Sequence, residues 1–272
     1  MRLDQRVVVV TGAGRGNGRA IAMRCAEEGA HVVLGDIDEP AVRSVAGQIR
    51  SAGGRAEGMG CDVTSEADVA ALMASARAAG GPHAVVAQAG TTFGGPLHET
   101  PLADWNRLMA VDLTGTFLTV REAVRSMLET GGGSIVTMSG TFAFMAEPGT
   151  SAHCAAKAAI LAFTRAVAAE YGDRNIRCNA IVPGYVMTGM VRRLFDRSDD
   201  GEAVHAEIAS WHALGRIADP REVANMALFL CSDESSFSSG SPFFVDGGLT
   251  TGINSNRHPL ARSAQQAARP AD

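Results

Sequence analysis

The chain has 272 residues, 46% of them hydrophobic and 19% charged, with a formal net charge of −5. That suffices for one large α/β domain with a well-buried core and excludes a disordered chain. Such a balance gives no electrostatic footprint for nucleic acid or an anionic membrane, and no apolar run approaches the roughly 18 residues needed to span a bilayer.

The N-terminus, MRLDQRVVVVTGAG, enters a structured pattern at once, with no signal-peptide core ahead of it. Short apolar runs then alternate with helical patterns. Strands are predicted at 7–11 (VVVVT), 31–36 (HVVLGD), around 58–63 (GMGCDV), 84–90 (AVVAQAG), 133–140 (GSIVTMSG), 176–184 (IRCNAIVPG) and 242–248 (PFFVDGG). Helices are predicted near 17–28, 39–52, 65–79, 101–129, 151–171 and 219–231. Gly29 reads as a C-terminal stop, and Thr64, followed by Glu66 and Asp68, as a start. Most strand candidates are continuous β-branched runs, as expected of strands buried on both faces of a parallel sheet. The alternation predicts a single α/β domain over residues 1–252. It would be a doubly wound, mostly parallel seven-stranded sheet with helices on both faces, Rossmann-like. Residues 253–272, polar and alanine-rich, read as a mobile tail or an interface arm.

Five cysteines (25, 61, 154, 178, 231) lie scattered without a CxxC, and seven histidines show no HxxxH or HExxH spacing. The expectation is reduced thiols in a cytoplasmic compartment, no disulfide framework and no metal.

TGAGRGNG, residues 11–18, follows the first predicted strand and precedes the first helix. Gly12, Gly16 and Gly18 let the backbone turn tightly and approach a pyrophosphate, which a helix N-terminus then stabilises. Asp36 closes the second strand 18 residues beyond Gly18, near the spacing of a carboxylate that accepts from a ribose 2′-hydroxyl and repels a 2′-phosphate. NAD is therefore favoured over NADP, with Arg15 pulling mildly toward the phosphate.

Further features follow in order: Asp62-Val63, AQAG at 87–90, the 151–157 helix start with Lys157, PGYVMT at 183–188 and VDGG at 245–248. With them, residues 5–250 resemble the short-chain dehydrogenase/reductase family. The resemblance implies an oxidoreductase. It places Asp62 and Val63 beside the adenine, Ala87, Gln88, Ala89 and Gly90 beneath the adenine-side ribose, and Val186 and Thr188 on the nicotinamide carboxamide. Lys157 would hold the nicotinamide ribose, while Arg15, Asn17, Ile37, Pro183 and Gly184 complete the coenzyme set. A homotetramer or homodimer is also implied, through the helices over 104–128 and 151–171. Asp104, Arg107 and Arg121 then read as solvated or interface charges.

The same resemblance expects a tyrosine four residues before Lys157, a serine thirteen before that, and an asparagine on the preceding long helix. This chain has His153, Gly140 (beside Ser139) and Asp112 there. Three readings stand open. In the first, His153 replaces the tyrosine as acid/base. Its neutral imidazole accepts an alcohol proton while Lys157 disfavours imidazolium and Asp112 offsets that cation. In the second, the chain binds dinucleotide without hydride transfer, as a sensor or structural subunit. In the third, His153 serves non-redox chemistry, an isomerisation or elimination. Under the first, Ser139, Thr141, Tyr185 or a water would supply the missing hydroxyl.

Loops beyond the strand ends, 91–98, 140–149 and 185–212, carry the candidate substrate wall: Phe93, Phe142, Phe144, Tyr185, Met190 and Trp211. These favour a small-molecule substrate, a bulky and mostly apolar alcohol or ketone. Simple packing of the loops is the alternative use of the same rings. A lid is expected over about 188–215, with DRSDDGE (196–202) as its hinge. Arg192, Arg193 and Arg197 on it are either solvated or face an anionic group.

Overall fold

The computed structural model describes residues 1–196 and 198–252. Its strands are β1 (Val7–Thr11), β2 (His31–Asp36), β3 (Arg55–Gly60), β4 (Ala84–Ala87), β5 (Gly133–Met138), β6 (Ile176–Pro183) and β7 (Pro242–Val245). They pair in parallel as one sheet in the order β3-β2-β1-β4-β5-β6-β7. The chain winds outward one way from β1 to β3 and the other way from β4 to β7. The reversal falls between β1 and β4, and there an open sheet leaves a crevice beyond the carboxyl ends of its strands.

Strand composition explains the two helical layers. Val8 and Val10 of β1 face one core with Ile21, Val42 and Leu228. Val7 and Val9 face the other with Leu72, Met127 and Val167. Both faces are covered, so the run is continuous rather than alternating. The first face is covered by α1 (Gly16–Glu27), α2 (Glu39–Ser51) and α9 (Pro220–Cys231), the second by α3 (Glu66–Ala78), α5 (Gly115–Thr130) and α6 (Ser151–Tyr171). Each fully buried aliphatic side chain stabilises the fold by about 1.5–3 kcal/mol.

Helix ends follow local chemistry. Asp38 caps α2 by accepting from Ala41 N at 3.1 Å, Asp219 and Glu222 form a capping box at α9, and Gly29 takes a left-handed φ of +92° after α1. The cap of α3 is Ser65, not Thr64; its Oγ accepts from Asp68 N. Strand β3 starts three residues before its predicted place. Its sequence, RAEGMG, is poor in β-branched residues, and register with β2 rather than apolar content fixes it. The chain then leaves the sheet, so Asp62 and Val63 lie in the following turn.

The helix expected over 101–129 is three pieces. α4 (Leu102–Met109) runs into a π-helical turn at Ala110–Thr114, and α5 follows. Such a turn inserts a residue into the helix, and here it carries Asp112, only 1% exposed. Within the expected lid lie α7 (Gly189–Asp196) and α8 (Gly201–Trp211), the latter capped by Asp200. Arg197 and the 253–272 tail lie outside the described residues. The helical stretch Ser151–Arg174, which includes α6, is long and apolar enough to cross a membrane by length and composition, with a mean hydropathy of 1.2, though Lys157 and Arg165 interrupt it. Ala156, Ile160 and Val167 on it are buried within the domain.

Candidate active site

The turn between β1 and α1 leaves no room for side chains. A Cβ on Gly12, whose φ is +65°, would lie 2.8 Å from Ala89 Cα, and one on Gly18 would lie 2.0 Å from Gly12 O. Thr11 Oγ1 accepts from Gln88 N and Ala89 N at 3.2 Å, tying the turn to the end of β4. Asp36, buried where β2 ends, accepts from Gly14 N at 2.8 Å and Asp38 N at 2.9 Å. Each of its oxygens keeps a lone pair for a further donor. Two buried oxygens, Asn17 Oδ1 at the start of α1 and Gln88 Oε1 just past β4, lack partners, although buried polar groups are normally paired. A glycine cradle, orphaned amides and an acid at β2 fit a dinucleotide.

The other positions expected to meet a coenzyme lie along the turns from β3 to β6. Asp62 Oδ1 closes its turn by accepting from Thr64, and Val63 packs on Gly115, where a Cβ would lie 2.6 Å from Val63 Cγ2. Ile37 is 72% exposed, and Arg15 reaches toward Asp38 at 3.8 Å. Ala87 ends β4, and Gly90 backs onto the Asp112 carboxylate, 3.5 Å from a built Cβ. Pro183 ends β6, and Gly184 abuts His212. Val186 bridges to Ala218, and Thr188 Cγ2 lies 3.3 Å from a Cβ built on Gly16.

Across the crevice, α6 faces the π-helical turn. Lys157 Nζ, buried, lies 2.9 Å from Asp112 Oδ2 and donates to Met138 O at 3.2 Å. Asp112 Oδ1 accepts from Thr91 N at 2.7 Å. The Oδ2 contact misses hydrogen-bond geometry, so it is an ion pair alone. His153, one turn before Lys157, is edge-on to Phe142 with ring centroids 5.5 Å apart, and its buried Nδ1 has no partner. Burial first, then the Lys157 cation, push the imidazole down to about 4, against the pull of Asp112. At pH 7 the ring is neutral, with a lone pair that can take a proton.

Gly140 has extended backbone, φ 175° and ψ 168°, and a Cβ there would meet nothing nearer than 3.9 Å. The space for a serine is present; the hydroxyl is not. Of the sequence-level substitutes, Ser139 Oγ donates to Lys157 O at 2.9 Å and Tyr185 OH to Glu147 Oε1 at 2.9 Å, so both protons are committed. The Thr141 hydroxyl makes no hydrogen bond among the described residues.

From His153 a row of edge-on rings continues through Phe142, Tyr185 and Trp211, at 6.3 Å and 5.7 Å between the last two pairs. Phe144 stands outside it, tilted on Phe244 of β7 at 5.0 Å. Phe93 instead packs with Trp105 and Met109 on Leu108, Ala152 and Ala156, supporting α6 from behind. Met190 is 45% exposed on α7, beside the exposed Arg192 and Arg193. Two residues escaped the sequence reading. Buried His212 accepts from Tyr185 N at 3.2 Å while its Nδ1 faces Ile208 O at 3.0 Å, and Glu147 holds the Tyr185 hydroxyl. Their partners in the row lie 27 and 38 residues away, so no local spacing announces them.

The glycine turn, the Asp36 carboxylate and the α6 lysine on this sheet define a class of nucleotide-binding oxidoreductase, and comparison agrees. A family model described as enoyl-(acyl carrier protein) reductase matches residues 12–250. 2-(S)-Hydroxypropyl-CoM dehydrogenase 3 of Xanthobacter autotrophicus is 39% identical, covering 92% of this chain and 98% of that protein. Cis-4-hydroxycyclohexanecarboxylate dehydrogenase of Sinomonas cyclohexanicum is 42% identical, covering 90% and 97%. A Beutenbergia cavernae protein solved with NADP bound at low occupancy superposes with a TM-score of 0.85 at 35% identity, covering 92% and 98%. The chain belongs to the short-chain dehydrogenase/reductase family, as an oxidoreductase.

Proposed function

We propose that this protein is an NAD-dependent dehydrogenase of bulky secondary alcohols in which His153 takes the alcohol proton. The observation that carries this reading is the neutral imidazole, with a buried unpartnered nitrogen, one turn from Lys157. Nicotinamide dinucleotide, held along Gly12–Gly18, Asp36, Val63, Gln88 and Thr188, would supply the hydride acceptor. Asp36 favours the 2′-hydroxyl form, since its charge opposes a 2′-phosphate. The chain's own work is proton handling. A neutral base accepts from an alcohol without a preceding deprotonation, whereas the ion pair of Lys157 with Asp112 keeps the neighbouring cation balanced. Direction follows: oxidation is favoured over ketone reduction at neutral pH. Thr141 is the remaining side-chain hydroxyl for the reacting oxygen. Phe142, Tyr185 and Trp211 supply the aromatic wall. The half-exposed Phe117, edge-on to Phe163 of α6, fits a subunit interface of a homotetramer. Five free thiols fit a reducing, cytoplasmic setting.

The test is a pH–rate profile of alcohol oxidation for the wild type and His153→Ala. The wild type is expected to hold a plateau above about pH 6 and to fall toward pH 4, because the group must be unprotonated and titrates at about 4. The alanine variant should lose about 10²–10⁴-fold. An unchanged rate removes His153 from the mechanism, and NADH binding without turnover of any alcohol favours a dinucleotide-binding protein that transfers no hydride.

A further inference from the structure

The wall that begins at His153 is not uniformly apolar. Tyr185 OH lies 2.9 Å and 3.0 Å from the two oxygens of Glu147. Among the described residues, that carboxylate has no arginine, lysine or histidine partner. Burial and the facing carboxylate both push the Tyr185 phenol above its ordinary range, so it stays protonated and its one proton is directed at Glu147. What the pair offers a ligand is therefore lone pairs only: those of a carboxylate and of a phenol oxygen whose proton is already given.

The position of this acceptor relative to the base is fixed by a short piece of chain. Glu147 N donates to Thr150 Oγ1 at 3.1 Å, and Thr150 Oγ1 donates back to Glu147 O at 2.7 Å. Thr150 is the residue on which α6 starts, three before His153. The Phe142 ring stands between the two ends, 5.5 Å from the His153 ring and 6.3 Å from that of Tyr185. Phe142 thus contacts both the ring that takes a proton and the ring whose hydroxyl belongs to the acceptor pair.

We propose that Glu147 and Tyr185 form a substrate subsite that requires a second hydrogen-bond donor, a hydroxyl or an ammonium, on the far side of the Phe142 ring from the reacting alcohol, and that rejects an anionic group there. This rests on reading the row of rings as the substrate wall. A hydroxyl or ammonium at the far end gives the carboxylate a partner; a carboxylate there places two like charges in a partly desolvated site without a counter-ion. The substrate class narrows from apolar alcohols to diols, polyols or amino alcohols.

Calorimetric titration in saturating NADH tests this without turnover. The probes are cyclohexane-1,4-diol, 4-aminocyclohexanol and 4-hydroxycyclohexanecarboxylate, on the wild type and Glu147→Gln. The wild type is expected to bind the diol or the amine at least tenfold more tightly than the carboxylate, and that ratio should fall to about threefold or less in Glu147→Gln. Whichever of the diol and the amine binds more tightly identifies the donor. Equal binding of diol and carboxylate by the wild type overturns the subsite, as does a ratio that survives Glu147→Gln, or no binding of either donor at tens of millimolar. Turnover of the same panel with NAD reads the oxidoreductase assignment separately. Selective binding without turnover sinks hydride transfer and leaves the subsite, while turnover without selectivity does the reverse.

Discussion

Two glycines mark the two ends of the crevice, and they behave in opposite ways. Gly18 cannot accept even a methyl group, since its Cβ would lie 2.0 Å from a carbonyl oxygen. Gly140 could take one freely, its nearest neighbour being 3.9 Å away. The coenzyme end is thus constrained by sterics, where backbone must pass close to backbone. Around Gly140 the scaffold is open, and a side chain could be added there without moving the backbone. Two glycines on one sheet thus answer to different constraints.

Gly18→Ala should give the largest effect on that contrast. Overpacking against Gly12 is expected to cost about 3 kcal/mol of stability and to weaken NADH binding by at least 100-fold, about 2.7 kcal/mol, read by thermal unfolding and NADH fluorescence. Retained NADH affinity would mean that the turn does not seat the dinucleotide.

Asp112→Asn comes next, at the catalytic end. Removing one partner of a buried pair commonly costs about 3–5 kcal/mol; here about 2 kcal/mol is expected, because an amide oxygen still faces Lys157 and Met138 O still accepts from it. Asp112 also supports protonation of His153, so the acid limb of the oxidation profile should move to lower pH in this variant. A limb that moves upward contradicts the proposed charge balance.

Gly140→Ser should change stability by no more than about 0.5 kcal/mol. Combined with His153→Tyr it should raise ketone reduction, and no rise would show that these two positions are not what the site lacks. The last effect lies in acid stability. The unfolded imidazole takes up its proton near its ordinary 6.5, whereas the folded ring resists to about 4. Stability from this group is full above pH 6.5 and falls as pH drops toward 4. His153→Gln should flatten that slope in a series of denaturant midpoints.

What could be read in the sequence follows the same division. The glycine turn, Asp36 and the valine-rich strands are legible because their physics is local: a tight turn, a strand end, a run buried on both faces. β3 was misplaced because RAEGMG owes its position to pairing with β2. The π-helical turn left no mark in the 101–129 pattern, although it sets Asp112 inward. Ser139 sits beside the expected serine position, yet its proton goes to the α6 backbone. Glu147 was invisible because its partner is brought to it only by the meeting of two loops.

The strap leaving β6 has a consequence for timing. Tyr185 at one end helps to form the aromatic wall, and Thr188 at the other rests over the glycine turn, with only Val186 and Met187 between them. A dinucleotide settling into the turn would press on one end of this four-residue lever and thereby set the other. The expected kinetics are compulsory-order, with the nucleotide first to enter and last to depart, and product-inhibition patterns would display that sequence directly.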